Sequence, residues 1–205
     1  MPQLPSLYQI KPAFQRLLLP VLDFCLTRGI SANALTALAL ALSALGGAAI
    51  LFSDAALWAL LLYPPLMLVR MALNALDGLV ARRTGTSTKG GMIFNETADI
   101  LSDLVMYLPL LIVPTINPSL LIGFVATGVF AELAGLLRLI RNGQRAYHGP
   151  LGKSDRAAAV VVLTVMVSFG TPPGWLSGAL GLFIALHLVT IINRSVARLT
   201  PPPGA

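Results

Sequence analysis

Between residues 32 and 193 this 205-residue chain is almost entirely apolar runs with short polar breaks. About twenty apolar residues are needed to cross roughly 30 Å of hydrocarbon. A chain that does so must close its backbone hydrogen bonds within each segment, which makes every such run a helix or part of a closed barrel. Six runs qualify, at about 32–53, 56–81, 92–114, 118–140, 156–171 and 174–193, the fifth being the shortest. Ser53-Asp54, Arg82 to Gly91, Pro114 to Pro118, Arg141 to Asp155 and Thr171 to Gly174 separate them. Composition agrees: 56% of residues are hydrophobic and 11% charged, whereas a soluble domain this small needs a large polar surface. Residues 6–28 mix Leu and Phe with Lys11, Arg16, Asp23 and Arg28, the pattern of an amphipathic helix lying in the interface. The predicted fold is therefore an all-α integral membrane protein. Six transmembrane helices follow one interfacial helix, in a single membrane-embedded domain over 1–205. The run RLLLPVL is interrupted by Asp23 and has no small-residue cleavage signal, so no cleavable leader is expected.

Charge sets the orientation. Fourteen Lys and Arg stand against eight Asp and Glu. All the basic residues except Arg70 fall before the first run, after the last, or in the two breaks on the same side (Arg82 to Gly91 and Arg138 to Arg156). By the positive-inside rule both termini are cytoplasmic, and the basic excess marks a membrane face and not a nucleic-acid surface. Cys25, the single cysteine, excludes an internal disulfide and any thiolate metal framework. It is expected to be buried, as is His187, while His148 falls in a polar loop. Arg70 lies about 18 Å along the second run from Arg82, deep enough to require a partner. Asp103 and Glu132 lie at similar depth, so an ion pair or a substrate contact is expected there, with Tyr63-Pro64-Pro65 kinking the helix nearby.

Five acids fall in apolar surroundings: Asp77, Glu96, Asp99, Asp103 and Glu132. Charges inside membrane helices are costly, so each is a candidate for function. Asn74 and Asp77 are three apart, and Asn95, Asp99 and Asp103 are four and four apart, so each set shares one helix face. Two such faces meeting at headgroup depth would gather oxygen ligands without Cys or His, which suits Mg²⁺ or Mn²⁺. The same spacing also fits a polar seam that only joins helices, or an ion path in a small transporter. A transporter more often shows repeats and helices broken at mid-bilayer. Here no repeat is visible, and the acids cluster toward the cytoplasmic edge.

The stretch Asn74-Ala75-Leu76-Asp77-Gly78-Leu79-Val80-Ala81-Arg82, then eight residues, Gly91, three residues, Asn95, three residues and Asp99 narrows the choice. It resembles the D-x2-D-G-x2-A-R-x8-G-x3-D-x3-D signature of the CDP-alcohol phosphotransferase family, with every spacing kept. Gly29-Ile30-Ser31-Ala32-Asn33-Ala34-Leu35-Thr36 is similar to that family's G-I-T-P-N-x-x-T entry to the first span. The resemblance implies transfer of a phosphatidyl-type group from a CDP-activated lipid to a polar alcohol with release of CMP, in phospholipid biosynthesis. The reverse assignment, a CDP-activated head group given to a lipid alcohol, is less favoured. The likeness further implies one or two Mg²⁺ or Mn²⁺ ions at Asp77, Asp99, Asn74 and Asn95, and Asp99 as general base. Gly78, Ala81, Arg82 and Gly91 would take the nucleotide and its phosphates. The implied setting is a prokaryotic inner membrane with the active site facing the cytoplasm, and the implied assembly is a homodimer.

Two motif aspartates are replaced here, by Asn74 and Asn95. Each swap removes one negative charge, so a second metal ion should bind more weakly and one-metal operation becomes plausible. Glu96 and Asp103 are the nearest replacement ligands; Asp103 lies one turn beyond Asp99 on the same face. A degenerate member that binds nucleotide or lipid without turnover is the alternative. Arg138, Arg141, Lys153 and Arg156 form a second basic group, read as a site for a lipid or acceptor phosphate. Gly149 to Arg156 lacks the spacing of a phosphate loop. Gly46, Gly47 and Ala48, and Gly178 with Gly181, are expected to allow close helix packing.

Overall fold

A computed structural model describes residues 11–142 and 149–196. His148, Arg145 and Arg198 lie outside them. Among the described residues eight α-helices run in order: α1 Lys11–Leu17, α2 Leu19–Thr27, α3 Ala32–Phe52, α4 Leu57–Arg83, α5 Lys89–Tyr107, α6 Pro118–Asn142, α7 Lys153–Ser168 and α8 Pro173–Val196. A 3₁₀ segment, Leu108–Ile112, extends α5. There is no strand among the described residues.

Local chemistry sets the starts. Ser31 Oγ accepts the Ala34 N–H at 3.2 Å ahead of α3, and Thr88 Oγ1 accepts the Gly91 N–H at 3.0 Å ahead of α5. Asn117 Oδ1 accepts from Leu120 N at 3.1 Å at the head of α6. Each side chain satisfies a backbone donor that the first helical turn leaves unpaired. Asp155 does the same for α7, accepting the Gly152 N–H at 3.1 Å.

The interfacial segment expected over 6–28 is two short helices in its described part, broken at Leu18 ahead of Pro20. It is docked: Leu22 and Cys25 are buried with Leu35 of α3 and Leu76 and Val80 of α4. Four described helices, α3, α4, α6 and α8, are long and apolar enough to cross a membrane. The other two expected spans are helical but shorter or more charged. Helix α5 has 19 residues and carries Glu96, Asp99 and Asp103, and α7 has only 16, about 24 Å of rise. Helix α4 stays helical through Pro64 and Pro65, and Tyr63 is fully buried with its hydroxyl donating to the Met106 carbonyl at 2.6 Å.

Helix α3 packs along α4 and α5, α6 along α8, and α7 against α4. The α3–α5 approach depends on Gly47, where an added Cβ would lie 2.0 Å from the Val105 carbonyl oxygen. Of the glycines expected to allow close packing, Gly46 and Gly47 lie against neighbouring helices, whereas Gly178 and Gly181 face nothing within 4 Å. The pattern of exposure is inverted relative to a soluble protein. Leu45, Phe52, Trp58, Leu68, Phe130, Phe169 and Trp175 are exposed, while Arg70, Asp77, Asp99, Asp103, Glu132, Arg156 and Arg194 are buried. Apolar surface this extensive needs a lipid solvent.

Candidate active site

The C-terminal third of α4 and the first half of α5 converge, and the opening turns of α3 close the third side. Asp77 Oδ2 accepts from Asn95 Nδ2 at 2.5 Å and from Thr36 Oγ1 at 2.9 Å. Asp99 Oδ1 accepts from Asn74 Nδ2 at 3.0 Å, and Asp99 Oδ2 is ion-paired with the Lys153 ammonium from the start of α7. The two asparagines therefore donate across the helix pair to the two remaining aspartates, where facing carboxylates would repel. Both aspartates are buried, so each needs these donors.

Beside this pair opens a cleft of about 350 Å³. Asp77, Gly78, Ala81 and Arg82 line it from α4, Gly91, Asn95 and Glu96 from α5, and Asn33 and Thr36 from α3. All four residues singled out for a nucleotide thus share one wall system with half of the proposed metal ligands. A Cβ on Gly78 would meet the Arg82 guanidinium at 3.4 Å, so the glycine leaves the Arg82 side chain room along the cleft. The Thr86-Ser87-Thr88 connection forms its rim.

A second polar cluster lies one turn further along α5. Arg70 Nη2 meets Asp103 Oδ1 at 2.6 Å, and Arg156 Nη2 meets Asp103 Oδ2 at 2.5 Å. Arg156 Nη1 reaches Glu132 Oε1 at 3.0 Å, and Arg194 Nη1 stands 3.4 Å from the same oxygen. Arg194 also donates to the Ala131 carbonyl at 2.5 Å, and Arg70 to the Asp99 carbonyl at 3.3 Å. The ion pair expected for Arg70 is formed with Asp103, while Glu132 is taken by Arg156 and Arg194 instead. His187 is packed as expected, stacked on Phe124 at 5.0 Å between ring centroids, with Nδ1 3.1 Å from Thr127 Oγ1.

This cluster changes two assignments. Asp103 does not stand with the oxygen ligands, because two guanidiniums occupy its carboxylate. Arg156 does not stand with a phosphate-binding group, because it is 2% exposed and spent on Asp103 and Glu132. The basic group of the Arg138–Arg156 segment is dispersed: Lys153 turns to Asp99, and Arg138 donates to the Ser195 carbonyl at 3.4 Å. Arg141 belongs to the end of α6.

The donor set fits a divalent ion of the hard type. It offers carboxylate and amide oxygens only, and Asn74 Oδ1 is buried without a hydrogen-bond partner beside Asp99. It does not amount to a carboxylate cage: no three Asp, Glu, His or Cys among the described residues are gathered closely enough to hold a metal. Mixed carboxylate and amide oxygens are what these residues offer such an ion.

Thr36 and Asn33 are the residues that spacing within α4 and α5 does not reveal. Both fall in the segment that resembles the family's entry to the first span, which was the available signal, and they act through α3 packing across both site helices.

Comparison with known proteins places these features in a family. Residues 29–193 match the family model described as CDP-alcohol phosphatidyltransferase. The chain is 46% identical over 152 residues to inner membrane protein YnbA of Escherichia coli (strain K12), covering 74% of this chain and 75% of that protein. It also superposes on Mycobacterium tuberculosis phosphatidylinositol phosphate synthase PgsA1 with CDP-DAG bound. That match has a TM-score of 0.67 and 20% identity, over 90% of this chain and 99% of PgsA1. A structure of PgsA1 in complex with manganese and citrate matches with a TM-score of 0.65 and 20% identity, over 88% and 92% of the two chains. At that identity the likeness to PgsA1 is one of fold.

Proposed function

This chain belongs to the CDP-alcohol phosphatidyltransferase family, and on that premise we propose that it moves a phosphatidyl-type group from a CDP-activated lipid to a polar alcohol. The observation that carries the reading is the cleft itself. Gly78, Ala81, Arg82 and Gly91 line it together with Asp77 and Asn95, and Asp99 lies one turn beyond Asn95 along α5. A nucleoside diphosphate needs a cleft floor without side chains, a forked cation for its phosphates and an acidic edge, and all three meet here. PgsA1, which shares the fold, has been captured with CDP-DAG and with manganese.

In the reaction the alcohol oxygen attacks the phosphorus that bears the lipid, and the bond from that phosphorus to the CMP oxygen breaks. Asp99 accepts the proton leaving the alcohol. Its carboxylate has lone-pair positions to spare beyond those taken by Asn74 and Lys153. Arg82 pairs with the pyrophosphate, and the exposed apolar flanks of α3 and α4 let the acyl chains remain in lipid. Asp77 and Asn95 on the cleft side, with Glu96 at its edge, would hold Mg²⁺ or Mn²⁺, while Asp99 and Asn74 stand behind them. Such an ion supplies positive charge against the transferring phosphoryl group and the departing CMP. The chain sits as one multi-pass domain in an inner membrane, α5 and α7 completing six spans, with both termini and the cleft on the cytoplasmic side. Its substrates are membrane-borne on one side and water-soluble on the other.

The test is CMP release by the purified chain in detergent, with Mg²⁺ or Mn²⁺ and CDP-diacylglycerol, across glycerol 3-phosphate, inositol, inositol phosphate and serine. CMP formed with one alcohol and lost on chelation is the expected result. Metal-dependent CMP binding without release from any pair would make the chain a binder, and no binding would return it to the transporter class.

A further inference from the structure

We propose that Lys153 is a resident cation of this site, fixed on Asp99, and that the site therefore takes one divalent ion, on the cleft side at Asp77. The inference rests on the transferase reading for its substrate but on the chain's own residues for its argument. The two aspartates are engaged differently. Each oxygen of Asp99 already carries one donor, Oδ1 the Asn74 amide and Oδ2 the Lys153 ammonium. Asp77 receives Thr36 and Asn95 on Oδ2 and a backbone N–H from Gly78, feels the Lys153 charge without an ion pair to it, and borders the open cleft.

Lys153 is built into that place. It is the first residue of α7, whose start is fixed by the Gly152 N–H bond to Asp155, and α7 packs against α4, which bears Asp77. Its side chain is 25% exposed against 4% for Asp99, so the ammonium caps a buried carboxylate from the solvent side. A lysine is a compact point charge, the side chain nearest in character to a small metal ion.

Charge leads to the same count. Asp77, Asp99 and Glu96 against Lys153 leave two negative charges. One divalent ion offsets them. A second ion would bring a further double charge with no carboxylate left to receive it, since Asn74 and Asn95 contribute neutral oxygens. The two asparagines and the lysine thus belong together: amides where carboxylates would demand a second ion, and an ammonium in place of that ion.

The experiment counts ions without requiring turnover. Mn²⁺ is titrated into the purified detergent-solubilised chain, and free Mn²⁺ is followed by electron paramagnetic resonance. The wild type should bind one Mn²⁺ per chain, and so should Lys153→Arg. Asn74→Asp with Asn95→Asp should bind one ion more tightly while Lys153 is present. Adding Lys153→Met to that pair should raise the count to two. Melting in detergent checks that each variant is folded; Lys153 is partly exposed, so its truncation removes little packing.

Two ions in the wild type, or none, would overturn the proposal. So would two in the Asn74→Asp, Asn95→Asp pair with Lys153 intact. A Lys153→Met change that only raises the acceptor's KM, with the Mn²⁺ count unmoved in the aspartate background, would make Lys153 an acceptor-phosphate residue instead. The outcomes separate from those of the transfer assay: one bound Mn²⁺ without CMP release spares this inference and sinks the activity, and CMP release with two bound ions does the reverse.

Discussion

Asp99 and Asp103 are one turn apart on the same face of α5, equally buried, and they belong to different kinds of site. Asp103 is held by guanidiniums from two other helices, and its neighbour Glu132 by guanidiniums from α7 and α8. That cluster joins five helices and is closed. Asp99 belongs to a group in which Asp77, Asn95 and Glu96 border a cleft. Depth in an apolar helix therefore does not distinguish a working carboxylate from a structural one. What separates them is where the compensating charge comes from: for Asp103 the protein supplies all of it, and for the Asp77–Asp99 pair part is left to a ligand.

The comparison predicts opposite mutational signatures. Asp99→Ala should lower turnover by roughly 10²–10⁴-fold, the usual contribution of a general base. The melting temperature in detergent should hardly change, because Lys153 reaches solvent once released. Arg156→Met should do the reverse. It leaves Asp103 to Arg70 alone and Glu132 to Arg194 alone, so buried carboxylate oxygens lose their donors, at a cost of about 1–3 kcal/mol. Turnover per folded molecule should change far less. The pair of measurements is thermal melting and CMP release on the same preparations. An Arg156→Met protein that melts normally and is inactive would show that Arg156 serves the substrate, and the division between the two clusters would collapse.

How much of this was legible in the sequence follows from the range of each interaction. Helix positions are set by apolar run length and by breaks such as Thr171-Pro172-Pro173-Gly174, so the segments are found within a few residues. The facing of Asn74 and Asp77 toward Asn95 and Asp99 follows from spacing on two helices joined by a short connection. What spacing cannot give is which charges cancel across distant helices. Arg156, read with the loop bases, lies on α7, and its partners sit 53 and 24 residues earlier. Lys153, three residues before it, is thereby placed one helical turn nearer the start of α7 and meets Asp99 instead. One turn of α7 separates a residue of the closed cluster from a residue of the open site, matching the one turn of α5 between their partners.

Thr36 tests the finest part of the comparison, whether the open site too is positioned by the protein. Its hydroxyl donates to Asp77 Oδ2 at 2.9 Å and accepts from Asn95 Nδ2 at 3.3 Å, linking α3 to both site helices. Thr36→Val keeps the β-branched shape and the packing but removes both contacts. A net hydrogen bond of this sort is worth about 1 kcal/mol, with more when it serves a charged group, so the expected loss is roughly fivefold. That loss should fall on Mn²⁺ affinity and on the KM for the CDP-lipid, since Asp77 borders the cleft, and leave kcat nearly unchanged, since Asp99 is held separately by Asn74 and Lys153. Thr36→Ser should recover most of the loss. A fall in kcat with metal affinity unmoved would mean that the two aspartates act as one unit, and that the asymmetry between the Asp77 and Asp99 sides has no functional counterpart.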